Sequence, residues 1–341
     1  MKTKFNEHWY SLTRRISIYW VIVIVLVAFL PYNFYLNHFN VPIAHGEEAI
    51  GNRTLPYNLI RENSNKLVQP LLYAKLSTED ENLMPLKEKI INYINQKKEG
   101  TLQNASVYFN ILDSANGWFI VNPEEKYNPA SIMKVAFAMA LLKEAENNPS
   151  ILDKKVYYSE HSSEFKDQLI IENKLPAGKS YSIKELLKYT LAYSDNDAAF
   201  KVVDNFKFGN LQKLVSDLNL RPVELHHEYF ATVEEISRFF RVLYNASYIS
   251  NDLSEYALEL LSQSDFNDGI VKKLDKNIVV ARKFGERGID TTRELHEFGI
   301  VYLHNRPYLL GIMTRGRDYK QLEEVVSDIS MIAYEEMAKP L

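Results

Sequence analysis

The chain has no cysteine among its 341 residues. Without a thiol there is no disulfide framework, no thiolate metal site and no cysteine nucleophile. A charge excess is missing too. Forty Lys and Arg stand against 44 Asp and Glu, and the net charge of −4 offers no electrostatic footprint for nucleic acid. Internal repeats and low-complexity tracts are absent. Hydrophobic and charged fractions of 46% and 25% exclude a disordered or fibrous chain. A mean hydropathy of −0.26 excludes a polytopic membrane protein, although an average conceals local departures.

One such departure is present. Ile16 to Leu30 reads ISIYWVIVIVLVAFL, with Ser17 its only strongly polar side chain. Continued to Leu36 as a helix, the run reaches about 31 Å, enough to cross a hydrocarbon core. Lys2, Lys4, Arg14 and Arg15 precede it, whereas Asn-His-Phe-Asn follows. The positive-inside rule therefore predicts residues 1–15 in the cytoplasm, an uncleaved single-pass anchor over 16–36 in the cell membrane, and the remainder outside. A cleaved signal peptide is the rival reading, with Pro42-Ile-Ala44 the nearest weak cleavage site. Residues 37–66 carry Pro42, Gly46, Gly51 and Pro56 without helical or strand period, and read as a linker.

From residue 67 to 341 the chain reads as one globular unit. Leu83 to Gln96 spaces apolar residues three and four apart, the pattern of an amphipathic helix. Ser106 to Leu112 and Trp118 to Val121 are β-rich runs around a turn at 113–117. Helical patterns fill about 130–263. Val279 to Phe284, Phe298 to Leu303 and Tyr308 to Met313 return to β character, and Leu322 to Met337 closes with a helix. Strands at both ends enclosing a helical middle predict an α+β fold in three α/β/α layers. A mostly antiparallel sheet of about five strands is flanked by helices, with an all-α insertion.

Inside that insertion a lysine stands where the core should be. Pro129 suits a first helical turn, and the stretch Ile132 to Leu142 is apolar apart from Lys134. Burying an unpaired ammonium costs several kcal/mol (about 2–5). Ser131 and Lys134 lie three apart on one helix face. Burial and the positive end of the helix favour the neutral amine, and a neutral lysine beside a serine is a general base beside a nucleophile. A snorkelling lysine at the edge of a core helix is the plainer alternative.

Two further elements follow. Tyr193-Ser-Asp-Asn-Asp197 is a dense polar cluster between apolar helical stretches. It reads as a turn with Asp or Asn as N-cap, or as Ser194 and Asn196 turned into a cleft, one to relay a proton and the other to hold an amide. Lys283-Phe284-Gly285 closes the strand that runs from Val279 to Phe284. A lysine there guards an edge strand or binds a carboxylate, and Gly285 leaves room for close approach of a ligand.

Ser-x-x-Lys, then Ser-Asp-Asn, then Lys-x-Gly on a late strand resembles the penicillin-recognising serine hydrolases, in particular the class A β-lactamase family. The resemblance spans about residues 67–340, with the Ser-Asp-Asn element in the helical insertion. It implies Ser131 as the acylated nucleophile, Lys134 as its base and Ser194 as the proton relay to the leaving nitrogen. It also implies Asn196 on the substrate's amide side chain, Lys283 and Gly285 at the substrate, and an oxyanion hole from the backbone N–H groups of Ser131 and Glu286. The substrate it implies is a small β-lactam or a cell-wall D-alanyl peptide, with no cofactor.

Two departures stand out. The middle residue of the third triplet is usually Ser or Thr in this family, whereas here it is Phe284. The loop that carries the family's deacylating Glu is also short. Glu228 and Glu224 lie in the right interval, but Thr232-Val-Glu-Glu-Ile already starts the next helix. A zinc reading of His226-His227-Glu228 fails because adjacent histidines in a strand point to opposite sides. A non-catalytic ligand-binding module on the same fold is the competing expectation from another class.

Overall fold

The computed structural model describes residues 57–63, 67–114, 117–160, 173–224, 227–304 and 306–339. The expected anchor lies outside them, as does most of the expected linker. Among the described residues no helix is long and apolar enough to cross a membrane.

The first described element corrects the linker boundary. Tyr57–Arg61 is a strand, β1, paired antiparallel with β2 (Leu71–Leu76) through a register shift between Ile60 and Arg61. Its side chains are mostly exposed, so no inside-outside alternation was there to read in the sequence. Next come α1 (Met84–Lys98), β3 (Leu102–Ile111) and β4 (Trp118–Val121). The central region holds α2 (Met133–Asn147), β5 (Lys155–Tyr158), β6 (Lys179–Ser182), α3 (Ile183–Leu191), α4 (Asn196–Val203), α5 (Phe208–Asp217), α6 (Val233–Tyr244) and α7 (Asn251–Ser262). β7 (Val280–Ile289), β8 (Thr292–Val301), β9 (Tyr308–Gly316) and α8 (Tyr319–Met337) complete the chain.

Five strands form one antiparallel sheet in the order β4-β3-β9-β8-β7. The expected α+β architecture is therefore present, with the sheet assembled from the two ends of the globular unit. The strands alternate between two separate cores. Ala105, Val107 and Phe109 of β3 face the core filled by Leu86, Ile90 and Ile94 of α1 and by Leu322, Val325, Val326 and Ile329 of α8. Tyr108 faces the other core, with Phe239, Phe240 and Leu243 of α6 and the apolar residues of α2. Each large apolar side chain so buried contributes about 1.5–3 kcal/mol.

Two expectations are revised, one in the middle of the chain and one near its end. The insertion is not purely helical, because β5 and β6 pair as a small hairpin within it. Their sequences, KVYY and KSYS, are too short and polar to stand out. In addition, β7 and β8 run well past the apolar segments that announced them, through Arg287, Arg293 and Glu294, into a hairpin around Asp290. Cross-strand pairing carries polar residues into the sheet where side-chain pattern alone does not.

Candidate active site

The turn that carries Ser131, the expected nucleophile, comes first and is called the nucleophile turn. Ala130–Ile132 is a single 3-10 turn that leads into α2, and Ala130 has φ +48°, a left-handed conformation unfavourable for a residue with a Cβ. Asn128 Oδ1 accepts from Ala130 N at 2.9 Å, and Ile132 N donates to Pro129 O at 3.0 Å. This puts Ser131, half-buried, at the N-terminal mouth of a helix whose sides are otherwise buried all round.

One turn on, Lys134 is 4% exposed. Its Nζ donates to the carbonyl of Ser194, to Asn196 Oδ1 at 2.6 Å and to Ser194 Oγ at 3.3 Å. Burial brings its pKa down to about 7, while Asp195 and Glu286 pull the other way. An amine poised near neutrality is what a base working at pH 7 requires. Three acceptors around Nζ suit the ammonium form. In the neutral amine the longest contact, to Ser194 Oγ, reverses so that the hydroxyl donates to the lone pair. Ser131 Oγ has no hydrogen-bond partner among the described residues. It shares the helix mouth with Lys134 but is not bonded to it in this state.

The Ser-Asp-Asn element stands where α3 gives way to α4. Ser194 has φ +57° and is 1% exposed. Asp195 is the N-cap of α4, accepting from Ala198 N at 2.7 Å, and its second oxygen accepts from Leu175 N at 2.9 Å. The motif thus divides its labour. Asp195 holds the turn, which frees Ser194 and Asn196 to face Lys134. Both sequence readings of the cluster, cap and cleft, are realised at once.

The third wall is β7, the edge strand of the sheet. A Cβ at Gly285 would lie 2.6 Å from Pro129 O and 3.2 Å from Ser131 N. The close approach expected of a ligand at Gly285 is, in this structure, made by the backbone of residues 129–131. The missing side chain admits the nucleophile turn itself, and any larger residue would push Ser131 off the strand. The same closeness brings the start of Ser131 against β7 next to Glu286, the other expected oxyanion donor.

Lys283 differs from the sequence expectation. It is fully buried, its Nζ donates to Phe284 O at 3.1 Å, and it lies 4.4 Å from the centre of the Phe284 ring. Burial first, and then the charge of Lys134, hold its pKa well below the usual lysine range, with Asp265, Glu297 and Glu286 opposing. Phe284 in turn stacks on Phe266, with ring centres 4.4 Å apart. Phe266 is fixed from below by Arg282, which donates from Nη2 to Ser264 O and Phe266 O, each at 2.8 Å. The amine expected to meet a carboxylate is buried and lies against the Phe284 ring, which is itself backed by Phe266.

The two candidate deacylating carboxylates are exposed and paired with other side chains. The Glu228 side chain is 58% exposed and paired with Arg287, and Glu224 is 70% exposed beside His227 at 3.6 Å. Neither is bonded to Ser131 or Lys134. The loop is short because Ala231 already bridges Tyr127, and Thr232 opens α6 with a capping box to Glu235. Among the described residues no cluster of His, Asp or Glu could hold a metal.

Sequence reasoning missed His296. It lies on β8 in register with Gly285, is fully buried, and meets Asn128 O through Nε2 at 3.1 Å. Burial pushes its pKa down to about 3. Only the β7–β8 register could have pointed to it, and that register was hidden by the polar strand ends.

Comparison with known proteins agrees with this architecture. The model of the beta-lactamase enzyme family matches residues 85–337. Beta-lactamase VEB-1 of Pseudomonas aeruginosa is 22% identical over 237 residues, covering 63% of this chain and 79% of that protein. In fold, the chain is similar to the TLA-3 extended-spectrum beta-lactamase (TM-score 0.64, 16% identity, 74% of this chain and 99% of that one). It is likewise similar to PBP-A (TM-score 0.62, 18% identity, 74% and 96%).

Proposed function

The chain belongs to the beta-lactamase enzyme family, and from that premise we propose that it is a serine hydrolase that opens β-lactam amides through an acyl-enzyme at Ser131. One observation carries the reading: a fully enclosed lysine one turn into the nucleophile helix, its amine shared with Ser194 and Asn196. In the acylation step Lys134, as neutral amine, takes the Ser131 Oγ proton while Oγ bonds to the amide carbon. The oxyanion is met by the Ser131 and Glu286 N–H groups. Ser194 Oγ then passes a proton to the leaving nitrogen, the C–N bond breaks, and Lys134 restores the Ser194 proton. Water later cleaves the ester. Asn196 is positioned to hold the substrate's amide side chain. Ser131 Oγ joins the network when substrate binds, since such contacts tighten in the Michaelis complex.

The exposed, ion-paired Glu228 favours a second reading, a hydrolase of cell-wall D-alanyl peptides that acylates readily and deacylates slowly. A penicillin-labelling time course separates the two. Fluorescent penicillin should label the wild type and leave Ser131→Ala unlabelled, a loss of at least about 10³-fold. Label that fades within minutes supports the β-lactamase, and label that persists for hours supports the peptide hydrolase. A wild type that takes no label removes both readings and leaves a binding module.

We further propose that residues 16–36 anchor the protein in the cell membrane with the hydrolase outside. The apolar run and the basic residues before it support this. Fractionation of cells checks it: the full chain should need detergent for release, and should be digested by protease added to intact spheroplasts.

A further inference from the structure

The nucleophile turn is held from behind as well as by its own bonds. His296 Nδ1 accepts from Thr314 N at 3.2 Å, so the ring proton sits on Nε2, which donates to Asn128 O. Asn128 is the residue whose side chain caps Ala130 N in the left-handed turn before Ser131. The Tyr127 ring meets the imidazole edge-on at 5.3 Å, and Tyr127 is pinned to Ala231 by paired backbone bonds of 3.0 and 2.9 Å. On the outer side Arg315 donates to Lys126 O at 2.9 Å. Residues 126–130 are thus strung between β8, β9 and the start of α6. Among the described residues, the side-chain bond to Asn128 O comes from His296, whose imidazole is fully buried.

We infer that His296 is a positioning residue for the nucleophile turn: its Nε2–H fixes the Asn128 carbonyl, and through Pro129 and Ala130 the placement of Ser131 Oγ and the Ser131 N–H. It touches neither substrate nor nucleophile. The inference rests on Ser131 being the acylated residue, and it assigns β8, which carries none of the family's three motifs, a part in acylation. A displacement of about 1 Å at such a turn costs on the order of 10²-fold in rate.

Two substitutions separate the nitrogens. His296→Asn keeps an acceptor near Nδ1 for Thr314 N but loses the donor to Asn128 O, and His296→Gln places an amide N–H near Nε2. Both are made in the full chain. Two readouts are taken: amide hydrogen exchange over residues 126–133, and the rate of labelling by fluorescent penicillin. His296→Asn should speed exchange at the turn by about tenfold or more and slow labelling by about 10- to 100-fold. His296→Gln should recover both to within about threefold. Unchanged exchange at the turn in His296→Asn would overturn the inference. So would exchange raised across the whole chain in both variants with no rescue by Gln, which is the mark of a merely structural histidine. If the turn responds as expected but the wild type takes no penicillin label, the proposed substrate fails and His296 still holds the turn.

Discussion

Lys134 and Lys283 are both enclosed, both depressed in pKa by burial and both within electrostatic reach of Glu286, yet their surroundings differ. Around Lys134, α2 and the α3–α4 junction converge three acceptors, two of them side chains from one short motif. Around Lys283, β7 supplies one carbonyl and an aromatic face. The half of the site that would make and break bonds is equipped, while in the half that would recognise a carboxylate Lys283 is buried against Phe284, which stacks on Phe266. Chemistry and recognition are separable because they hang on different elements, a helix mouth and an edge strand.

The sharpest way to break this comparison is at the seam between the halves. Gly285→Ala puts a methyl 2.6 Å from Pro129 O, so the nucleophile turn must move. Acylation should fall on the order of 10²-fold, measured as labelling rate, with a lower melting temperature. A rate within twofold of wild type would mean that strand and turn are not rigidly coupled.

On the chemical side, the Lys134 pKa of about 7 sets a pH profile. The reactive form is the neutral amine, so the acylation rate should rise with pH to a plateau above about 7. Below that it should fall about tenfold per pH unit. Stability has the same sign. The unfolded lysine binds more protons between about 7 and 10.5, so burying Lys134 costs less as pH rises through that window. An acylation rate that is flat from pH 5 to 8 would remove Lys134 as the base.

On the recognition side, Phe284→Thr deletes the ring over Lys283. It should cost about 2–4 kcal/mol in chemical denaturation, through the cavity left against Phe266. It should also lower the penicillin concentration for half-maximal labelling about tenfold, the worth of one hydrogen bond to a charged group. A stability loss with unchanged half-maximal concentration would show that the ring does not govern recognition.

The smallest effect belongs outside both halves. Glu228→Gln removes an exposed pair with Arg287, worth under about 1 kcal/mol, and should leave the decay of the acyl label within about twofold. A large slowing would instead make Glu228 the deacylating base.

What could be read from the sequence follows the range of the interactions. Ser131 and Lys134 are three apart, and Lys134 interrupts an apolar run, so their shared face and burial were legible without coordinates. The capping of α4 at Asp195 was legible for the same local reason. Gly285 was noticed, but the direction of its free side depends on where the 129–131 backbone lies, more than 150 residues earlier. His296 was silent because its partner Asn128 is 168 positions away. Phe284 was seen as a missing hydroxyl; that it covers Lys283 depends on Phe266 arriving from the α7–β7 connection.

The strand order carries a consequence for how the molecule comes into being. β9, which ends at Gly316, lies between β3 and β8. During synthesis, therefore, β3 has no partner on that side until almost the whole chain exists. Such distant pairings close slowly, and an unpaired apolar strand is exposed to wrong partners while it waits. The helical middle is complete first, including α2 with Ser131 and Lys134. The wall that carries Lys283 and Gly285 is added only when β7, β8 and β9 assemble. A truncated chain lacking β9 would therefore hold Ser131 in an unfinished cleft, so the proposed reactivity toward an acyl donor would report that folding has reached its end.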